Sequence, residues 1–449
     1  MNPSAQHVTV VGGGLAGSEA AWQLARRGIR VVLHEMRPAS MTPAHRTGDL
    51  AELVCSNSLK GTDQTTATGL LKHELRALGS LVLETAEECR VPAGAALAVD
   101  REQFSKRMTA RIESEPLITM VRGECTSLPA APAIIATGPL TSDSFTDALS
   151  RLIGHSRLHF FDAAAPVVEA ASIDHDVVFA ASRYGKGEGA DYLNAPMGRE
   201  EYERFHAALV GADRVTLKEF ERKELFAACQ PVEEVARTGL DALRFGALKP
   251  VGLVDPRTGE RPWAVVQLRA ENRALTAFNL VGFQTNLTFA EQRRVFSMIP
   301  GLEHAEFVRF GVMHRNTFLD APRLLDATLQ LRVAPGIRMA GQLTGTEGYL
   351  EAAASGLLAA LNTYAESSGA APFVLPPETV LGALIAYATD PDTADYQPMH
   401  VNFGLVPPLA GRHKRKRERY AAYSERGIQA LSEILATRHD LHPRAGDRD

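Results

Sequence analysis

The sequence of 449 residues predicts an α/β fold, a unit built on a parallel sheet and interrupted by a smaller α+β insertion. Three stretches carry that expectation. A β-branched strand at residues 7–11 runs into a glycine-rich turn and an alanine-rich helix. A short apolar strand at 133–136 ends in Thr137-Gly138. A late strand at 336–342 leads to a second alanine-rich helix start at 348–356. Alternation of strands with helices is the pattern of a parallel sheet, and the late pair returns the chain to its first unit.

Taken in order, HVTVV at 7–11 favours a strand because β-branched side chains suit a pleated surface. Gly12-Gly13-Gly14-Leu15-Ala16-Gly17 follows, with Gly12, Gly14 and Gly17 at G-x-G-x-x-G spacing. That spacing turns the chain sharply, brings a pyrophosphate to the backbone, and packs the next helix close to the strand. The helix runs to Gly28, and its N-terminus would face phosphates. A second strand, 29–35, ends in Glu35, 18 residues after Gly17, where an acid can accept hydrogen bonds from an adenosine ribose. An NAD site needs no more than this. Thr137-Gly138 and the segment from Gly341 to the helix start at Gly348-Tyr349 favour FAD, because they resemble flavoproteins of the glutathione-reductase type. In that Rossmann-like FAD-binding domain the late strand–helix pair aims its N-terminus at the flavin. The expected cofactor contacts are Gly12, Gly13, Gly14, Leu15, Ala16, Gly17, Glu35, Thr137, Gly138, Gly341 and Tyr349.

Residues 146–310 differ in composition, with strand candidates at 159–161, 165–168, 263–268 and 278–283 and helices at 200–211 and 217–229. The FAD-binding domain is therefore expected at 1–145 and 311–449, with the insertion domain between them.

Composition is that of an ordinary globular chain, 45% hydrophobic and 22% charged with a mean hydropathy of -0.10, which takes most of the weight from collagen-like, coiled-coil and disordered classes. No window approaches 18 consecutive apolar residues and the N-terminus lacks a basic region, so neither a membrane span nor a signal peptide is expected, and a cytoplasmic location is. Net charge is -5, yet residues 412–449 carry +4 and leave -9 on the remainder. Arg412 to Arg419 holds six basic residues in eight, which reads as a phosphate-binding segment or a solvated helix end. Plotted as a helix, Arg412, Arg415, Lys416 and Arg419 share one face.

The four cysteines, Cys55, Cys89, Cys125 and Cys229, form no C-x-x-C, which excludes zinc ribbons and thioredoxin motifs. Cys89 continues the apolar positions Leu71, Leu75, Leu78, Val82 and Ala86 of one expected helix, so it belongs to a buried stripe; Cys125 is expected in the core as well. Cys55, in polar ELVCSNS, and Cys229, at a helix end before Gln230-Pro231, are the thiols that no stripe hides. Neither pattern alone separates a functional thiol from a packed one. The 14 histidines include no metal-ligand spacing, so no metal site is expected, and His314 in GVMHRNT reads as a structural histidine or as an acid or ligand contact.

Longer strings carry a resemblance. VTVVGGGLAGSEAAW from Val8, EMRP at 35–38, MTPAH at 41–45, ELVCSNSL at 52–59, VPAGAALAVDR at 91–101, RYGK at 183–186, DYLNAPM at 191–197, ACQPVEE at 228–234, KPVGLVDPRTG at 249–259, GVMHRNT at 311–317 and NFGLVPP at 402–408 resemble the folate- and FAD-dependent tRNA (uracil-5-)-methyltransferases of the TrmFO family. These are shorter relatives of the tRNA-modifying flavoprotein MnmG (GidA), whose long helical C-terminal extension this chain lacks. Gly13 stands where many members have alanine, a departure expected to be harmless.

The resemblance implies that 5,10-methylenetetrahydrofolate supplies a carbon to C5 of the T-loop uridine at position 54 of tRNA, with FAD and NAD(P)H supplying reducing equivalents. C5 of uracil is a weak nucleophile until a thiolate adds at C6, and a base must later remove the C5 proton. A thiol with pKa near 8.5 is only about 3% ionised at neutral pH, so such a site must favour the thiolate or place a base beside it. Cys229 is assigned as the C6 nucleophile and Cys55 as a second thiol acting as base or shielding the flavin face; the opposite assignment stays open. Two other functions fit the same fold: an NAD(P)H-dependent flavin oxidoreductase of a small metabolite, which would turn over without tRNA, and a non-catalytic tRNA-binding flavoprotein, which would leave uridine unmethylated.

Overall fold

Val8–Val11 (β1) is the central strand of a five-stranded parallel sheet, in the order Ile337–Met339, Ala133–Ile135, β1, Val31–Glu35 (β2), Ile118–Arg122. The computed structural model describes residues 7–154, 157–163, 165–187, 190–215, 230–272, 274–311, 313–393, 396–411 and 415–441. Both faces of this sheet are covered, so its strands read as apolar runs; Val10, Leu33 and Ile134 are fully buried. The strand Ile337–Met339 pairs with Ala133–Ile135 although about two hundred residues separate them, which closes the first unit around the intervening chain.

Two helices lie backbone to backbone beside this sheet. A Cβ on Gly17 of helix α1 (Leu15–Ala25) would overlap the Gly12 carbonyl oxygen, and one on Gly356 of the helix Tyr349–Ser368 would overlap the carbonyl of Ala16. Only glycine permits either approach. The packing seats Leu350, Leu357 and Leu361 of the long helix in the core, each contributing roughly 1.5–3 kcal/mol through burial.

The intervening chain builds a second, antiparallel sheet of six strands, in the order Phe179–Ala180, Tyr192–Met197, Ala264–Ala270, Ala277–Leu280, Val167–Glu169, Phe307–Arg309. It has its own apolar core, with Tyr202, Phe205, Val266, Phe283 and Phe296 buried together. The helix expected at 200–211 forms as Arg199–Gly211, whereas the one expected at 217–229, Cys229 included, lies outside the described residues. Strands Arg157–Ala163 and Met313–Leu319 pair antiparallel where the chain passes between the two sheets.

The expected single helix ending at Cys89 is instead two, α2 (Ala67–Ala77) and α3 (Leu81–Glu88). Gly79 takes the left-handed conformation and the Ser80 hydroxyl accepts from the Leu83 N–H, so chain direction changes there while the apolar stripe stays buried. Cys89, fully buried, caps the second helix. The basic segment also differs from a continuous helix. The helix Lys416–Thr437 begins only after Arg415, which has extended backbone, and residues 412–414 lie outside the described set.

Two buried carboxylates cap helices that are distant in sequence. Glu19 accepts from Leu81 and Val82 N–H, and Glu74 from Val380 and Leu381 N–H at 2.8 and 2.9 Å. Burial pushes the Glu74 carboxyl up to about 8, outweighing those two donors. The folded chain therefore keeps a proton that an unfolded carboxyl releases near about 4.3. Stability from this group is complete below that value and is lost as pH rises through about 8. Urea midpoints of wild type and Glu74→Gln from pH 5 to 8.5 should diverge in favour of the glutamine variant as pH rises; parallel curves would refute the linkage.

Candidate active site

The carboxyl ends of all five parallel strands open onto one cavity of about 1070 Å³, counting its mouth. A parallel sheet binds ligands at that end, because the loops and helix N-termini gather there. Gly12, Gly14, Leu15, Ala16, Glu35, Thr137, Gly138, Gly341 and Tyr349 all line the cavity, so most of the expected cofactor residues meet. Gly13 and Gly17 lie behind the wall.

Their places explain their roles. Gly12 has φ +102 and a Cβ there would strike the Ala136 carbonyl, so the first glycine makes the turn. Gly13 donates its N–H to Glu35 Oε2 at 2.8 Å, and a Cβ on it would press on Leu50 and Glu35. Gly14 is the N-cap of α1, has an ordinary φ of -74, and has nothing within 4 Å of where its Cβ would be. A side chain there would enter open cavity. The first N–H groups of a helix have no partner within it, and Gly14 offers no side-chain cap, so α1 presents donors and a positive dipole end to the space. The helix Tyr349–Ser368 begins on the same cavity, behind Gly348 and again without a side-chain cap.

Glu35 is held ionised. Burial would raise its carboxyl, but the hydrogen bonds and charge of Arg37, with the Gly13 N–H, together bring it below the usual range. Arg37, 2% exposed, donates from Nε to Glu35 at 2.8 Å and from Nη1 to Glu52 at 3.2 Å. A carboxylate accepts about four hydrogen bonds, and Glu35 has three here, from Gly13 N–H, Arg37 N–H and Arg37 Nε–H, so one ribose hydroxyl still fits. Sequence reasoning missed Arg37 and Glu52 as site residues. The signal was a basic residue two positions beyond the strand-ending acid, in the EMRP string.

Tyr349 links the cavity to a thiol. Its buried Oη accepts from the N–H groups of Cys55 and Ser56 at 2.8 and 3.0 Å, and burial first, then the charge of Cys55, push the phenol far up, so it stays neutral. Cys55 is partly buried in that loop. Cys125, expected in the core, packs against it only partly. It also lines the cavity mouth, its Sγ donates to the Ser127 carbonyl at 3.1 Å, and burial raises it. Cys229 and the His314 side chain lie outside the described residues. Among those described, no three His, Cys, Asp or Glu side chains could hold a metal, and no helix is long and apolar enough to cross a membrane.

The geometry is thus that of a strand-end cavity with two uncapped helix N-termini abutting a cysteine loop, and known proteins give it a family. The family model for glucose inhibited division protein A matches residues 7–371. This chain belongs to that family. A methylenetetrahydrofolate–tRNA-(uracil-5-)-methyltransferase TrmFO of Desulforudis audaxviator is 59% identical over 430 residues, covering 95% of this chain and 98% of the relative. The TrmFO of Geobacter sulfurreducens is 58% identical over 96% and 99%. Among solved structures, Aquifex aeolicus GidA superposes with a TM-score of 0.69 at 16% identity, over 97% of this chain and 74% of that one. That likeness shows the α/β fold with its parallel sheet, and the sequence identities place the chain among the TrmFO members of the family.

Because a Cβ at Gly14 meets no protein atom, Gly14→Val should melt within about 1 kcal/mol of wild type yet lose its bound dinucleotide, FAD being the one expected. Absorbance of the purified variant near the flavin bands measures this. Full occupancy would count against the site.

Proposed function

We propose that this chain methylates C5 of uridine 54 in the T-loop of tRNA, taking the carbon from methylenetetrahydrofolate and reducing equivalents from FAD recharged by NAD(P)H. The observation that carries the reading is near-full-length identity of 55–59% to relatives named methylenetetrahydrofolate–tRNA-(uracil-5-)-methyltransferase. The cavity at the strand ends supports FAD as the bound group, with Gly12, Gly14, Glu35, Gly341 and Tyr349 as its contacts. When bound, the flavin supplies hydride equivalents. For the organisation of the chain we propose the division at 145/146 and 310/311; two apolar clusters, each built on its own sheet, support a division, with Leu149 and Ile153 of the helix Asp143–Ile153 packing into the first cluster beyond that boundary.

The protein's own part is nucleophilic and acid–base. Cys229 adds as thiolate to C6 of the uracil, which places enolate character on C5; after C5 has gained the methylene carbon, a base takes the C5 proton as tetrahydrofolate leaves, the exocyclic methylene takes up one hydride equivalent to become the methyl group, and the C6–S bond breaks to release the thiolate. Cys55 is the proposed base, since its loop is pinned by Tyr349 at the cavity edge. A loop uridine must leave its stack to reach them. Basic surface at the start of the helix Lys416–Thr437 would receive the backbone. Lys416 and Arg419 flank the Tyr420 ring at an uncapped helix N-terminus, where phosphate is favoured by charge and dipole alike.

The deciding assay incubates purified protein with unmodified tRNA, methylenetetrahydrofolate and NAD(P)H and digests the RNA for 5-methyluridine. Without tRNA-dependent product the reading is wrong. Cys229→Ser should abolish product with FAD and tRNA still bound, and Cys55→Ser should cost about 10²–10⁴ in rate, the usual worth of an acid–base group. Neutralising Arg412, Arg415, Lys416 and Arg419 together should flatten the salt dependence of tRNA binding by about 0.7–0.9 in log–log slope for each phosphate no longer neutralised. An unchanged slope leaves the segment a solvated helix end.

A further inference from the structure

Three guanidinium groups from three different elements converge on the Cys55 loop. Arg101, at the start of the helix Arg101–Ser114, donates to the carbonyls of Leu53 and Cys55 at 2.8 and 3.3 Å. Arg269, on the second sheet, donates to Asn57 Oδ1 at 2.8 Å and Ser56 Oγ at 2.7 Å. Arg309, at the end of the strand Phe307–Arg309, donates to the carbonyls of Val54 and Cys55, both at 3.3 Å. Glu271 pairs with Arg101 and is the one acid interacting with all three arginines among the described residues. Tyr349 faces the loop as a neutral phenol, and Glu52, on the loop's own stretch, is engaged by Arg37 and by the N–H groups of Arg46 and Thr47. Three positive groups against one negative is an unbalanced arrangement for a half-buried cluster, because unpaired cations taken from water are costly.

We propose that Arg309, together with Arg101 and Arg269, is a positioning residue that holds Cys55 as a thiolate, its proton released to solvent, ready to act on the RNA substrate. The proposal deepens the role given to Cys55 above and rests on that reading. Arg309 is the member with the weakest protein partners. Its buried Nε finds no hydrogen-bond acceptor among the described residues, and both of its other hydrogen bonds are long. Burial, and then repulsion from Arg101, push its guanidinium down to about 10, while the charge of Cys55 acts in the opposite direction. Coupling between two titrating groups is reciprocal, so the cation that a thiolate stabilises stabilises that thiolate equally.

The test reads Cys55 alone, on the full-length protein as purified. Iodoacetamide alkylation is followed from pH 5 to 9.5 and resolved by peptide mass spectrometry, with buried Cys89 as the unreactive reference. Arg309→Met should raise the pH midpoint of Cys55 alkylation by about one unit, roughly tenfold slower on the acid side, as removal of a neighbouring opposite charge predicts. Arg309→Lys should restore the wild-type midpoint. If the methionine variant fails to fold, Arg309→Gln, which can still donate to the two carbonyls, should show the same rise. A Met or Gln variant that titrates like wild type, or a Lys variant shifted as far as the neutral ones, overturns the proposal. Alkylation needs no RNA and no turnover, so this outcome is separate from whether the protein methylates tRNA.

Discussion

The structure hangs on two places where backbone meets backbone, Gly17 against the Gly12 carbonyl and Gly356 against the Ala16 carbonyl. Remove either glycine and α1 must move away from β1 or from the helix Tyr349–Ser368. Because both approaches are present, two helices formed more than three hundred residues apart begin at the same cavity, each with uncapped N–H groups facing it. The donor-rich, positive-dipole lining of the cavity is thus a packing result. No lysine or arginine is needed at the turn, and none of the turn residues 12–17 is charged.

Carboxylates in this protein serve as fasteners between remote segments. Glu35 commits three of its hydrogen bonds to Gly13 and Arg37, fixing the strand end against the turn, and Glu19 and Glu74 satisfy helix starts contributed by remote parts of the chain. The same logic inverted surrounds Cys55, where arginines donate to loop carbonyls and leave positive charge in excess. One cavity wall is thereby acidic and pinned, and the adjoining loop is basic.

Much of this was legible from the residues, for identifiable reasons. The turn at 12–17, Glu35 and the strand ends at 137 and 341 are local patterns whose geometry follows from spacing, so residues far apart in the chain could be expected together and do meet at one cavity. The break at Gly79-Ser80 was hidden because the apolar stripe runs on unchanged across it, and periodicity reports burial rather than continuity. The helical plot of the basic segment applies only from Lys416 onward, because a run of Lys and Arg has good helix propensity but repels a helix N-terminus, and extended Arg415 marks that conflict. Arg37 was overlooked although its partner Glu35 lies two residues away, whereas Arg269 and Arg309 could not be placed at all, since their partners sit more than two hundred residues away in the Cys55 loop and such pairing leaves no mark in local sequence.

The late strand Ile337–Met339 also gives the first sheet a history. On a ribosome adding about 5–20 residues per second, Ala133-Ile134-Ile135 emerges roughly 10–40 s before its neighbour exists. Until then a wholly apolar strand has one edge unpaired, and unpaired apolar edges are where chains stick to one another. The antiparallel sheet, closed among its own strands, can form during that interval. The growing chain is therefore most exposed to aggregation midway through synthesis, with its second sheet able to finish before its first.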